Sequence, residues 1–382
     1  MELQQYYTQN RYSEHMVNNL AIESPAHAFD LGLGNGGLLL ATKRRWSKIN
    51  LIGVDLDQEN IYKAKLNSQI DAFEFDGFRP DLPEIINKKY GNIDLLVSNP
   101  PYFSCKLDTD IISILSEVGM MDCISKNCQS IPAELVFLAQ NLRLLTEKGE
   151  LGIILPAGLI SGERWKGIRE FLFSEYNVVK VIQLPTSSFK RTDAQAFILI
   201  LTPKSTNSDL VLSHVDYSGE FKINLNDAIQ RSDYIYYRHF SECRVNSKII
   251  DDFSIFRGSL THAKLKNDSS HYIHTSHLEN YASELNLPKS PSSDGVNTMP
   301  GDIVIGRVGR RCLGRVALIK SGHVPVSDCI IIVRANSPSV RKQIWNKLKA
   351  ENAKNTFYDL SLGVGAKYLT HNIVRNYIQF GS

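Results

Sequence analysis

The segment Asn92-Ile-Asp-Leu-Leu-Val-Ser-Asn-Pro-Pro-Tyr102 carries the most informative chemistry in the chain. Pro100 and Pro101 hold the backbone extended and remove two N–H donors, leaving carbonyl acceptors and the Asn99 amide directed out of a strand end. Such a site suits a planar amine. The lone pair of an exocyclic or amide nitrogen is delocalised into its ring or carbonyl, which makes it a poor nucleophile. Two acceptors, the Asn99 side-chain oxygen and the Pro100 carbonyl, would take its N–H groups and favour the pyramidal nitrogen that can attack an electrophilic methyl. Tyr102 supplies a face on which a planar base could stack.

A second constellation lies upstream. In Asp30-Leu-Gly-Leu-Gly-Asn-Gly36, Gly32 and Gly34 with Asn35 can let the backbone approach a ligand at a helix N-terminus. Asp55, in Gly53-Val-Asp-Leu-Asp57, follows Asp30 by 25 residues, where an acidic group can accept hydrogen bonds from ribose hydroxyls. Asp76 closes the next apolar run and gives a third carboxylate at the same expected sheet edge. The glycine run is not GxGxxG. A dinucleotide stays open on these residues alone, but the missing third glycine favours a nucleoside ligand over a pyrophosphate.

The elements that must position these groups follow from the hydrophobic periodicity. Strands are expected at 26–31, 50–55, 72–76, 93–99, 150–156, 177–184 and 194–201, and helices at 36–46, 58–68, 132–147 and 162–176, with Gly149 as a helix C-cap. This alternation predicts an open, mostly parallel α/β sheet with ligands at the carboxyl ends of its strands. Residues 103–131 are poorly periodic, and either a mobile loop that orders on a substrate or a helical insertion fits them. The second half is β-rich, with strands near 302–308 and 314–319 and a helix near 337–350.

The chain has 382 residues, of which 43% are hydrophobic and 22% charged, and that length points to two domains. No apolar run approaches the ~18 residues needed to span a bilayer, and the N-terminus lacks a basic and then apolar leader pattern. Six cysteines without a CxxC pair suit a reduced protein, so a cytoplasmic location away from any membrane is expected. Net charge is only +3 overall. Divided after residue 204, in the linker-like stretch 202–208, it becomes −3 for the first part and +6 for the rest, and the basic part suits a polyanion.

The motifs resemble a known family. Asp-Leu-Gly-Leu-Gly-Asn-Gly, Gly-Val-Asp-Leu-Asp and Asn-Pro-Pro-Tyr look like motifs I, II and IV of S-adenosylmethionine-dependent amino-methyltransferases, in the order of the gamma class of adenine-specific (N6) DNA methyltransferases. Tyr6-Tyr-Thr8 is similar to the N-terminal cofactor motif of that class, the segment 134–156 to its motifs V and VI, and 188–197 to its motif VIII. The resemblance implies a Rossmann-like seven-stranded methyltransferase sheet. It also implies S-adenosyl-L-methionine held by Tyr7, Thr8, Asp30, Gly32, Gly34, Asn35, Asp55, Asp76 and Asn99. The family often follows its motif III Asp directly with an aromatic that packs on the cofactor adenine. Here Gly77 intervenes, which assigns Phe78 to that role with a departure from the pattern. Catalysis would rest on Asn99, Pro100, Pro101 and Tyr102, with direct methyl transfer to an adenine flipped out of the duplex between Tyr102 and Phe189. No metal is implied, because His271, His274 and His277 lack clustered cysteine or carboxylate partners.

Asn-Pro-Pro-Tyr is shared by glutamine and RNA adenine methyltransferases, so the second half must choose the substrate. Phe256-Arg-Gly-Ser-Leu, Pro300-Gly-Asp-Ile-Val-Ile-Gly-Arg-Val-Gly309 and Leu362-Gly-Val-Gly-Ala-Lys-Tyr-Leu-Thr370 look like the α+β target recognition domains of type I specificity subunits. Arg307, Arg310, Arg311 and Arg315, with Lys367, are the expected contacts to double-stranded DNA. The expected organisation is a methyltransferase domain at 1–204, a connector at 205–244 and a DNA target recognition domain at 245–382. A monomer is expected, methylating within a restriction-modification system or a related one and alongside a restriction endonuclease or specificity partner. The rivals are an RNA adenine or protein glutamine methyltransferase and a catalytically inert DNA-binding module.

Overall fold

Short runs such as Ala28–Phe29 and Leu95-Leu96-Val97 are fully buried, as strands are when a parallel sheet is covered on both faces. The computed structural model describes residues 8–66, 69–186, 188–189, 195–203, 209–244, 250–268, 271–309, 311–363 and 366–380. The chain divides into two compact units, 1–234 and 235–382.

The first unit runs α1 (Asn10–Asn18), β1 (His27–Leu31), α2 (Gly37–Arg45), β2 (Asn50–Asp55), α3 (Gln58–Leu66), β3 (Ile70–Glu74), α4 (Leu82–Tyr90) and β4 (Ile93–Ser98). It continues through β5 (Ser104–Lys106), α5 (Thr109–Glu117), β6 (Ser130–Pro132), α6 (Ala133–Leu144), β7 (Leu145–Pro156), α7 (Ala157–Ser161), α8 (Lys166–Glu175), β8 (Tyr176–Gln183), β9 (Ala196–Pro203), β10 (Asp209–His214), β11 (Phe221–Asn224) and α9 (Leu225–Gln230). The sheet order is β11-β10-β8-β9-β7-β4-β1-β2-β3. Neighbours from β7 through β3 are parallel, whereas β9 runs antiparallel to both β7 and β8. The chain moves from β1 outward to β3 and then returns to β4 on the other side of β1. That reversal opens a crevice beyond the carboxyl ends of β1 and β4, where Gly32 and Asn99 lie.

Three expectations need correction. Among the described residues the sheet has nine strands rather than seven, because β10 pairs parallel to β8 and β11 completes a hairpin with β10. Leu210 and Leu212 are fully buried there, so much of the expected connector 205–244 belongs to the sheet, and the division falls after Tyr234. Gly149 is no helix cap: α6 ends at Leu144, and β7 starts at once. β7 pairs with β4 at Leu145 and again from Glu150, and Gly149 occupies the irregularity between. A Cβ at Gly149 would lie 3.2 Å from the Asp94 carbonyl oxygen. Residues 103–131 form a helical insertion, closed by the β5–β6 ribbon and seated on buried Ile111, Ile114, Leu115 and Met120. The Asp108 carboxylate caps α5 by accepting from the Ile111 N–H at 3.0 Å.

The second unit comprises α10 (Tyr234–Arg244), β12 (Phe253–Arg257), α11 (His262–Asp268), β13 (Ala282–Lys289), β14 (Ile303–Gly306), β15 (Val316–His323), β16 (Ile330–Ala335), α12 (Pro338–Leu348), α13 (Ala353–Leu360) and α14 (His371–Phe380). Its five strands are ordered β12-β16-β14-β15-β13, mostly antiparallel. Successive residues point to opposite faces. Ile303, Ile305, Val316, Ile331 and Val333 join the helices in one core. Val304, Ala317, Ile319, Ile330 and Ile332 form a second core with Ile273, Leu278 and Val326. Among the described residues no helix is long and apolar enough to cross a membrane.

Candidate active site

β1 delivers Asp30 to the end of the sheet, and the chain then turns through Gly32, Gly34 and Gly36, all with positive φ, before α2 begins. At Gly32 the φ of 86° is costly for any L side chain, and an added Cβ would sit 3.1 Å from the Phe137 ring. The turn is held from the next strand: Gly32 and Leu33 donate to the Val54 carbonyl at 3.0 and 2.9 Å. The Asp55 carboxylate accepts from the Gly34 N–H at 2.7 Å, the Asp57 N–H at 2.8 Å and the Asn60 side chain at 3.3 Å. The Asn35 side chain accepts from the Gly37 N–H at 3.1 Å.

Thr8, Asp30, Gly32, Gly34, Asn35 and Asn99 line one cavity, joined there by Leu33, Gly37 and Leu38. Asp30 is 1% exposed, and its Oδ1 has no hydrogen-bond partner among the described residues. Burial pushes its carboxyl well above the usual carboxylate range, and the Asp55 charge adds to the effect. A cation placed there would relieve that penalty. The Asn99 amide nitrogen donates to the Thr8 hydroxyl at 3.0 Å, which fixes the orientation of the amide and commits its oxygen to act as the acceptor. Thr8 is itself buried.

Phe78 is half-buried and stands edge to face with Phe103 at 5.9 Å and Phe137 at 5.8 Å, and it is not among the residues lining the cavity. Its N–H is accepted by the Asp76 carboxylate at 2.9 Å. The intervening Gly77 has a steric cause: a Cβ there would meet Phe137 at 3.1 Å and Leu31 at 3.2 Å. Gln140 of α6 fixes the same turn by donating to the Gly77 and Arg79 carbonyls at 2.9 and 2.8 Å. Tyr102 and Phe189 meet at 6.4 Å with their planes 71° apart, so in this conformation they stand edge to face rather than as parallel walls. Phe189 is buried and also packs on Tyr12.

The structure therefore brings most of the sequence-derived site residues to one sheet edge; Tyr7 lies outside the described residues. Phe137 and Gln140 were not singled out from the sequence. Their helix is buried nearly all round, which leaves no periodic stripe to mark the residues that face the site.

The basic residues belong to the second unit. The Arg307 Nε donates to the Asp328 carbonyl at 2.9 Å, and its guanidinium lies 5.8 Å from the Tyr368 ring centroid. Arg311 is exposed, and Arg310 lies outside the described residues. The Arg315 Nη1 donates to the Leu278 and Glu279 carbonyls at 2.6 and 2.5 Å and so braces a loop of its own unit. The Lys367 ammonium sits 3.9 Å from the centroid of the Tyr358 ring. Drawn at the boundary of the compact units, the charge division sharpens. Residues 1–234 hold 23 Lys+Arg against 29 Asp+Glu, and residues 235–382 hold 20 against 11.

Comparison with known proteins bears on this crevice. The chain is similar to the type I restriction enzyme MpnII methylase subunit of Mycoplasma pneumoniae, at 24% identity over 212 residues, 50% of this chain and 38% of that protein. It is 26% identical over 172 residues to the tRNA1(Val) (adenine(37)-N6)-methyltransferase of Flavobacterium psychrophilum, covering 44% of this chain and 69% of that one. The type IIG restriction endonuclease BpuSI shares the fold, with a TM-score of 0.51 and 14% identity over 96% of this chain and 57% of its own. The chain thus spans well under half of the first of these relatives. The family model for N-6 DNA methylase matches residues 2–254, the whole first unit with its glycine turn and Asn-Pro-Pro-Tyr segment, and the chain belongs to that family.

Proposed function

We propose that the chain transfers a methyl group from S-adenosyl-L-methionine to the N6 amine of an adenine in double-stranded DNA, at a site read by the second unit. The observation that carries this reading is the Asn99 amide, oriented by Thr8 at the wall of the cavity that holds Asp30 and the glycine turn. The family and the fold imply S-adenosylmethionine as the donor, and the residues present fit it. A buried carboxylate suits a cationic ligand, and the positive-φ glycines allow close backbone approach. When bound, that cofactor supplies an electrophilic methyl on a sulfonium.

The chain's own groups do the rest. Asp30, Gly32, Gly34, Asn35 and Thr8 would hold the cofactor's polar end, Asp55 and Asp76 its hydroxyls and base, and Phe78 the base face. Tyr7 joins this set through the motif it shares with Thr8. Asn99 Oδ1 and the Pro100 carbonyl accept the two N–H groups of the adenine amine, which frees its lone pair for attack. Pro100 and Pro101 keep the acceptors rigid. Tyr102, together with Phe189 after their edge-to-face contact opens, would stack the extruded base and offset the few kcal/mol that unstacking costs. Arg307, Arg310, Arg311, Arg315 and Lys367 are assigned to the DNA side, with part of the donor capacity of Arg307, Arg315 and Lys367 spent within the unit.

We place the protein in a restriction-modification or related system as a monomer, with a restriction endonuclease or specificity subunit as its partner. The test is transfer of a labelled methyl group to duplex DNA, RNA and protein offered in parallel. Label in duplex adenine is the expected result, and label in RNA or protein alone would overturn the substrate assignment.

A further inference from the structure

Three segments of the second unit converge on the turn Ser327-Asp328-Cys329, and a fourth reaches it through Arg307. Leu260 and Ile273 bridge to Ser327 and Val326, Arg307 donates its N–H to the Cys329 carbonyl at 2.8 Å, and Leu369 donates to the Arg307 carbonyl at 2.9 Å. Onto this turn β12 brings Arg257, whose Nε donates to the Asp328 carbonyl at 3.1 Å. Arg307 donates its own Nε to that same oxygen at 2.9 Å. One carbonyl thus braces two guanidinium forks at their inner nitrogens, and the outer N–H groups take no part in that contact. The Arg257 side chain is 46% exposed.

The cluster is like-charged. His371, at the start of α14 and one turn before Arg375, stands close enough to both arginines that burial first and then Arg257, Arg307 and Arg375 hold its imidazole below its ordinary value. Burial and then Arg257 do the same to the Arg307 guanidinium. The acid facing them is Asp328, whose carboxylate is 3.9 Å from the Arg257 Nη2. Crowding cations in this way costs stability in the isolated unit, and a bound polyanion would repay that cost. Side by side, two forks match the geometry of a phosphate.

We propose that Arg257 and Arg307, braced on the Asp328 carbonyl, form a clamp for a phosphate of the DNA backbone. This deepens the DNA reading above and rests on it. Arg257 lies in the Phe256-Arg-Gly-Ser-Leu segment but was not among the residues expected to contact DNA.

The test is fluorescence anisotropy of the chain on a short duplex over a salt series, with the variants Arg257→Gln and Asp328→Asn and with cooperative thermal unfolding of the second unit as the folding control. Arg257→Gln is expected to weaken binding about three- to tenfold and to flatten the slope of log affinity against log salt by roughly one. Asp328→Asn removes the competing anion and is expected to tighten binding by about threefold. Opposite signs mark a phosphate site, because Asp328→Asn keeps the main-chain carbonyl that braces both forks and removes only the carboxylate charge. Unchanged affinity and slope in Arg257→Gln, with the wild type bound, overturns the clamp alone. A wild type that binds no duplex overturns the clamp together with the DNA reading. If Arg257→Gln loses that cooperative unfolding, Asp328→Asn decides: tighter DNA binding supports the clamp and weaker binding contradicts it.

Discussion

The hydroxyl of Thr8 and the amide of Asn99 lie 91 residues apart in sequence and 3.0 Å apart in space, and that contact decides which end of the amide works as an acceptor. Thr8→Val should therefore lower kcat about tenfold while leaving DNA affinity near wild type, as the loss of one net hydrogen bond would. A split in which DNA affinity falls and kcat holds would remove Thr8 from this role. Glu134, in the first turn of α6, is 5% exposed, and its Oε2 has no hydrogen-bond partner among the described residues. Burial pushes its carboxyl from 4.5 up to about 7. The folded protein holds that proton more tightly than the unfolded chain, so ionisation erodes stability as pH rises from about 4.5 to about 7, and the cost is fully present above that window. Glu134→Gln should raise Tm at pH 8, by the equivalent of about 1–3 kcal/mol, and leave it unchanged near pH 4. An equal gain at both pH values would refute this account. Asp30, Asn99 and the glycines were legible in the sequence because polar and flexible residues closing an apolar run stand out. Glu134 and Phe137 were not, since one helix-like run conceals which side chains turn inward.

Among the elements, those that follow a strict period were read closely. β2 occupies 50–55 as expected, and α12 begins after Ser337, whose hydroxyl accepts from the Val340 N–H at 3.2 Å with proline in the first turn. β10 and β11 escaped notice because they are short, flanked by polar residues and next to a stretch whose composition suggested a linker. Their burial makes them testable. Leu212→Ala should destabilise the first unit by about 2–4 kcal/mol, read as a lower urea midpoint for the cofactor-binding unit. A change below about 0.5 kcal/mol would show that residues 209–214 behave as a surface connector. Gly149 misled for a local reason: glycine after a helical run usually marks a cap, but here it admits the close approach of the Asp94 carbonyl within a strand irregularity.

For the whole molecule, an overall charge of +3 conceals an acidic unit with a cofactor crevice and a basic unit with clustered arginines. Length and composition suggested two domains, and the sign of each half was legible, although the boundary lies 30 residues beyond the first estimate because the sheet extends to β11. The family match reaches residue 254, so most of the second unit stands outside it, and the choice of duplex DNA as substrate depends on what that unit binds. Long-read mapping of modified bases in DNA from cells expressing the wild type or Asn99→Ala reads both the substrate and the role of Asn99. N6-methyladenine at one recurring sequence context is expected with the wild type, and its loss with Asn99→Ala, because a preorganised acceptor worth roughly a hundredfold or more in rate is removed. No modified adenine with the wild type, or an undiminished pattern with Asn99→Ala, would contradict this reading.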